Sequence, residues 1–165
     1  MTEPVPATVI TVSDEIAEGT DSDRSGPVAE ALLVEAGARV TRTVAGDDPA
    51  AIEAAIRDAI ARGSRFVMTC GGTGIGPKDH TPETVARLLT FEIPGIGEEI
   101  RRRGIAQAPP ALVSREVAGA IVPETGPPVL VLAAPGSRGG VRDAIGVIAP
   151  VLTYILEQLD GAGHR

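Results

Sequence analysis

The chain has 165 residues, of which 43% are hydrophobic but only 2% aromatic, and a formal net charge of −7. Such a length suits one domain, residues 1–165, with a core of Val, Ile, Leu and Ala, and the acidic balance argues against a general nucleic-acid surface. Its single cysteine, Cys70, excludes an internal disulfide and fits a reducing cytoplasm; no signal peptide is evident, and no apolar run approaches the ~20 residues of a membrane helix.

Residues 7–12 read as a first strand, followed by a polar loop over 13–25. A helix then runs to about Ala36, with Val28, Leu32 and Ala36 on one face and Gly37 as its stop. Residues 38–44 form a second strand. Asp48-Pro49 opens the next helix, whose stripe is Ile52, Ile56, Ala59 and Ile60 and whose end is Gly63. Residues 65–70, with Phe66, Val67 and Met68, have the character of a buried third strand. A helix opens at Thr81, expected as the N-cap with Pro82 as the first helical residue, and turns Val85, Leu88 and Leu89 inward. Another helix covers 94–103. Residues 111–118 and 128–133 read as strands joined by a Pro/Gly-rich connection, which suits a hairpin. The last helix places Val141, Ile145, Ile148, Leu152, Ile155 and Leu159 at helical spacing, and Pro150 should kink or split it near Ala149. Residues 1–6 and 161–165 are expected to fray.

Strands alternating with helices imply an α/β three-layer sandwich with a mostly parallel sheet and one antiparallel hairpin or edge strand. Ligands in such folds bind beyond the carboxyl ends of the strands. That rule puts Ser13 and Asp14, Asp47 and Asp48, the segment after Cys70, and Pro135-Gly136-Ser137 around one cleft.

The most specific segment is Gly71-Gly72-Thr73-Gly74-Ile75-Gly76-Pro77-Lys78-Asp79-His80-Thr81-Pro82. Four glycines within six residues let the backbone approach a ligand, and a glycine loop feeding a helix start is an anion site. Lys78 adds positive charge. Asp79 would repel a phosphate unless a metal such as Mg²⁺ lies between them. Pro77 breaks both the Walker A and the dinucleotide-binding patterns. Carboxylates beside a phosphate cradle suit metal-assisted phosphoryl or nucleotidyl transfer, with Asp79 and Asp47 as leading candidates. Asp47 has a turn residue as its plainer reading, with Asp48 as the helix cap. Ser137 either bonds a ligand or caps the last helix. Arg115 and Arg138 hold an anion or are surface charges. Cys70 reads as a buried strand thiol, and a zinc site lacks its Cys/His cluster.

At these residues the chain resembles the Mog/MoaB family of molybdenum-cofactor biosynthesis proteins, whose domain also occurs in gephyrin and plant Cnx proteins. The resemblance runs from Val9 to about Leu159. It is carried by Gly71-Gly72-Thr73-Gly74 with Asp79, Thr81 and Pro82, supported by Ser13-Asp14, Gly19 with Asp23, Pro94-Gly95 leading to Glu98, Ser114-Arg115, and Pro135-Gly136-Ser137. It implies a molybdopterin-binding domain, commonly a homotrimer, and in the Mog branch a Mg²⁺-dependent adenylyltransferase. That enzyme converts ATP and molybdopterin to adenylyl-molybdopterin and pyrophosphate, ahead of a molybdenum-insertase partner. The family's two important aspartates fall on Asp47 and Asp79. By the same resemblance Asp79 and Gly71, Gly72, Thr73 and Gly74 serve metal and phosphates, while Ser114, Arg115 and Ser137 lie at the pterin side. Ala133-Ala134, Arg138 and His80 depart from the family pattern. The alternatives are a non-catalytic MoaB-like binding or regulatory protein, and a nucleotide pyrophosphatase of the CinA type.

Overall fold

In the computed structural model, which describes residues 3–163, the buried strands alternate their side chains between two apolar layers. Strands β1 (Val5–Val12), β2 (Ala38–Ala45), β3 (Phe66–Cys70), β4 (Phe91–Glu92), β5 (Val117–Ile121) and β6 (Val129–Ala134) form one sheet in the order β2-β1-β3-β6-β5-β4. Strands β2, β1, β3 and β6 are parallel, whereas β5 runs antiparallel to both β6 and β4. The β5–β6 pair is the expected hairpin, and the two-residue β4 is an edge strand that short length hid from periodicity.

Phe66, Met68 and Cys70 face one layer, and so do Leu130, Leu132 and Ala134. Their neighbours Val67, Val129, Val131 and Ala133 face the other. This is the two-residue period of a strand buried on both faces. Helices α2 (Ser25–Glu35), α5 (Pro94–Gln107), α6 (Arg138–Ile148) and α7 (Leu152–Leu159) cover the first layer through Leu33, Ile100, Ile148 and Leu156. Helices α3 (Pro49–Ala61) and α4 (Thr81–Leu88) cover the second through Ile52, Ile56 and Val85. The architecture is the expected three-layer sandwich.

Several boundaries differ from expectation. β1 begins at Val5, because Val5 and Pro6 continue the parallel register with Ala38 and Arg39, so these two residues do not fray. The polar loop after β1 contains a short helix, α1 (Asp14–Ala17), capped by the Ser13 hydroxyl, which accepts from Ile16 N. Residues 109–113 are a 3-10 helix, not a strand; two consecutive prolines remove the N–H groups a ladder needs, and β5 starts only at Val117. Thr81 is the first residue of α4, with His80 at the cap position, so Thr81 is not the cap. The last helix splits at Pro150: a 3-10 turn over Ala149–Val151 separates α6 from α7. Arg138–Leu159 is long and apolar enough, by length and composition, to cross a membrane. Its apolar stripe is the one buried against the sheet, as in a core helix. Gly161 closes a turn after α7, and residues 164 and 165 of the expected frayed tail, like residues 1 and 2, lie outside the described residues.

Candidate functional site

The carboxyl ends of β1, β2, β3 and β6 share one edge of the sheet because these strands are parallel. The antiparallel β5 brings its start to the same edge, Val117 pairing with Ala133 near the end of β6. Ser13, Asp47, the glycine loop and Pro135–Ser137 therefore lie along the edge the strand order implied, and Ser114 and Arg115 join them just before β5.

Close approach explains the glycines. Gly71 and Gly72 have φ of 114° and 70°, in the region that favours glycine. A Cβ on Gly71 would stand 2.6 Å from Val12 O, and one on Gly72 would stand 2.3 Å from Thr81 Oγ1. Gly71 N donates to Ala134 O at 3.0 Å, and a Cβ on Gly136 would lie 3.0 Å from Gly71 Cα. The two small-residue turns thus pack directly on each other. Thr81 N donates to Gly72 O at 3.2 Å, while the Thr81 hydroxyl is buried without a hydrogen-bond partner.

The loop is then locked from its far end. Asp79 Oδ2 accepts from Gly76 N at 2.9 Å, and Asp79 N donates to Gly76 O at 3.1 Å. Arg115 clamps it: Nε donates to Gly74 O at 2.8 Å, Nη2 to Asp79 O at 2.9 Å, and Nη1 bonds Glu83. Arg115 N also donates to Thr73 O at 2.8 Å. This guanidinium is neither a free anion ligand nor an idle surface charge. It belongs to the loop, and its chemistry fits because a planar fork of donors can bridge three acceptors at once.

On the β2 side lies a charged cluster. Asp47 N donates to Asp14 Oδ1 at 2.8 Å, and Asp14 N donates to Asp47 Oδ2 at 3.1 Å. Lys78 Nζ stands 3.6 Å from Asp14 Oδ2, tying the exit of the glycine loop to this pair. Burial pushes the Asp47 carboxyl above its ordinary value; the Asp14 N–H opposes this, the charges of Asp14 and Glu15 reinforce it, and Lys78 opposes it. Asp48 is the cap of α3, accepting from Ala50 N, so Asp47 is left for other work. Among the described residues no three His, Cys, Asp or Glu side chains converge on a metal position.

On the β5 side is a cavity of about 400 Å³. Thr73, Gly74, Ser114, Pro135, Gly136 and Ser137 line it, with Ile100, Ala111 and Val113 as apolar wall. Thr73 and Ser114 hydroxyls are 3.3 Å apart. Ser137 caps α6, accepting from Gly140 N at 3.0 Å, so capping is its role in the fold even as it faces the cavity. Ser13, Asp47, Asp79 and Arg115 do not line this space. Two carboxylates that sequence reasoning missed do line it: Glu116 and Asp143. Glu116 was hidden by the misplaced strand, which put it mid-ladder instead of at the strand start. Cys70 is buried, with its thiol pushed up to about 12 by desolvation and then by Asp23, and is inert, as expected of a strand thiol.

A parallel-edge cleft holding a glycine loop, an acidic pair and a cavity of about 400 Å³ defines an α/β domain of the sandwich class. The family model described as "Probable molybdopterin binding domain" matches residues 8–154, and the chain belongs to this Mog/MoaB family. It is 42% identical over 159 residues to the "Molybdenum cofactor biosynthesis bifunctional protein" of Synechococcus elongatus, covering 96% of this chain and 48% of that protein. It thus spans about half the length of that relative. It is 32% identical over 149 residues to the "Molybdopterin adenylyltransferase" of Pyrococcus furiosus, covering 90% and 88%. A molybdopterin biosynthesis protein structure from Mycobacterium abscessus superposes with a TM-score of 0.85 at 39% identity, covering 94% and 96%. The likeness to CinA of Thermoplasma acidophilum, at 22% identity and a TM-score of 0.60, shows the fold alone.

Proposed function

We propose that this chain transfers the adenylyl group of ATP to molybdopterin. An acceptor oxygen of molybdopterin bonds to the α-phosphorus of ATP, and the bond to the leaving pyrophosphate breaks. The observation that carries this reading is that one glycine loop separates an acidic, charged flank from a concave, mostly apolar one. Phosphate chemistry suits the first and a heterocycle suits the second. The adenylyltransferase name of a relative of similar length supports the same choice.

In this reading the Gly71–Gly74 backbone cradles phosphate oxygens, and Lys78 offsets their charge. Asp47 and Asp79 would hold Mg²⁺. Each uses Oδ2 to accept a backbone N–H, leaving a hard oxygen donor on the other side. Such a donor set fits Mg²⁺, which binds through one or two carboxylates together with substrate phosphates. Such an ion, when bound, would supply charge neutralisation on the phosphates. Thr73, Ser114 and the Pro135–Ser137 turn shape the pterin side. The same proposal takes residues 1–165 as a single cytoplasmic molybdopterin-binding domain that assembles as a homotrimer and passes its product to a molybdenum insertase. A monomeric mass in solution would count against that assembly.

The second reading, a binding or regulatory protein without turnover, draws on one observation: Lys78 is already paired within the acidic cluster. Adenylyl transfer from α-labelled ATP with Mg²⁺, run with and without molybdopterin, separates the two. Label on the pterin that requires molybdopterin supports the enzyme. Pterin binding without transfer supports the carrier.

A further inference from the structure

The cavity on the β5 side is lined by the carboxylates Glu116 and Asp143 and, among the described residues, by no lysine or arginine. A phosphate would be repelled there, whereas a ring bearing N–H donors would be attracted. The two acids differ in setting. Asp143 Oδ1 accepts from Gln107 Nε2 at 3.1 Å near the exposed rim. The Glu116 side chain is only 2% exposed. Its Oε2 accepts from Arg101 Nη1 at 3.2 Å, and the same Nη1 donates to Gly97 O at 3.3 Å. Gly97 permits this arrangement, because a Cβ there would stand 2.9 Å from Glu116 O. A buried carboxylate needs several donors to offset lost hydration, and Arg101 reaches one of its oxygens. Glu116 lines the cavity, which puts its carboxylate within reach of a ligand seated there. Ile100, Ala111, Val113 and Pro135 supply apolar wall for a flat ring.

We propose that Glu116 reads the 2-aminopyrimidine edge of a pterin in this cavity, its carboxylate accepting from the exocyclic amino group and the adjacent ring N–H. Arg101 is a positioning residue that holds the carboxylate in place from α5. This inference rests on the pterin-binding part of the proposed function and names the residue that selects the ring.

The test compares 6-hydroxymethylpterin with 6-hydroxymethyllumazine, in which a carbonyl replaces the 2-amino group, by titrating their intrinsic fluorescence. The wild-type chain should bind the pterin about 10-fold or more tighter, the usual scale for hydrogen bonds to a charged partner. Glu116→Gln should bring the ratio near one or invert it, since an amide N–H can donate to the lumazine carbonyl, and should weaken the pterin without weakening the lumazine. A purely structural Glu116 would weaken both ligands alike. If Glu116→Gln fails to fold, Glu116→Asp, which withdraws the charge by one methylene, should cut the ratio by about threefold or more. Equal wild-type affinity for the two rings, or no saturable binding of the pterin, overturns the proposal. Adenylyl transfer with a flat ratio removes only the role of Glu116; a steep ratio without transfer removes only the enzyme.

Discussion

The two flanks of the glycine loop face the same sheet edge yet are built differently. Toward β2 the chain offers Asp14, Asp47 and Lys78, partly exposed and joined by reciprocal backbone and ionic contacts. Toward β5 it offers a cavity with apolar walls and one deeply buried acid. The difference teaches how a single loop can border two unlike environments. Under the proposed function, phosphate chemistry would fall on the charged, partly exposed flank and ring selection in the apolar cavity.

The sharpest way to break this comparison is Asp79→Asn. An asparagine carbonyl can still accept from Gly76 N, so the loop and the ring cavity should survive, while adenylyl transfer should fall by about 10²–10³-fold. Transfer assays paired with pterin titration check this; retained turnover removes Asp79 from the chemistry. Next is the loop itself. Gly71→Ala combines a positive φ with a clash against Val12 O and should lower stability by roughly 2–4 kcal/mol in denaturant unfolding. Gly126→Ala has a similar φ of 98° but open space around it, and should cost about 1–2 kcal/mol. Equal costs would mean that the approach of Gly71 to Val12 O is slack.

Arg115→Lys should cost about 1 kcal/mol, because partial exposure discounts the ionic contact with Glu83 and a lysine cannot bridge both loop carbonyls. Amide hydrogen exchange over residues 73–79 should quicken while β3 is unchanged. The smallest effect on stability is expected at Asp47. Its folded pKa is raised, so its contribution to stability is present below the unfolded value of 3.8 and is lost as pH rises through the folded value. Asp47→Asn should therefore be as stable as the wild type at neutral pH or more stable by about a few tenths of a kcal/mol, and should flatten the pH dependence just above 3.8. A marked loss of stability would show that Asp47 is a structural tie.

Most of the sandwich was legible because its strands are short apolar runs and its helices carry caps such as Asp48-Pro49 and stops such as Gly37 and Gly63. The glycine loop was legible because Gly71 and Gly72 do adopt positive φ and leave no room for a Cβ, Gly71 against Val12 O and Gly72 against the Thr81 side chain. What failed were places where tertiary contacts overrule local pattern. The run over 111–118 is apolar enough for a strand, but Pro109 and Pro110 start a 3-10 turn that uses part of it. That error hid Glu116. Arg115 was ambiguous for a different reason: its acceptors, Gly74 and Asp79, lie far away in sequence, and only folding brings them under one guanidinium. Asp14 was placed at the correct edge, but nothing in the sequence reveals its reciprocal bonds with Asp47.

Gly136 and Gly71 stand so close that no side chain fits between them, and Gly71 N is bonded to Ala134 O. The turn that shapes the ring cavity and the loop beside the acidic pair are consequently one mechanical joint. A ligand that straightens either arm alters the work needed to seat a ligand in the other. If nucleotide and pterin bind on these two sides, as proposed, any coupling through this contact must change both affinities by the same factor.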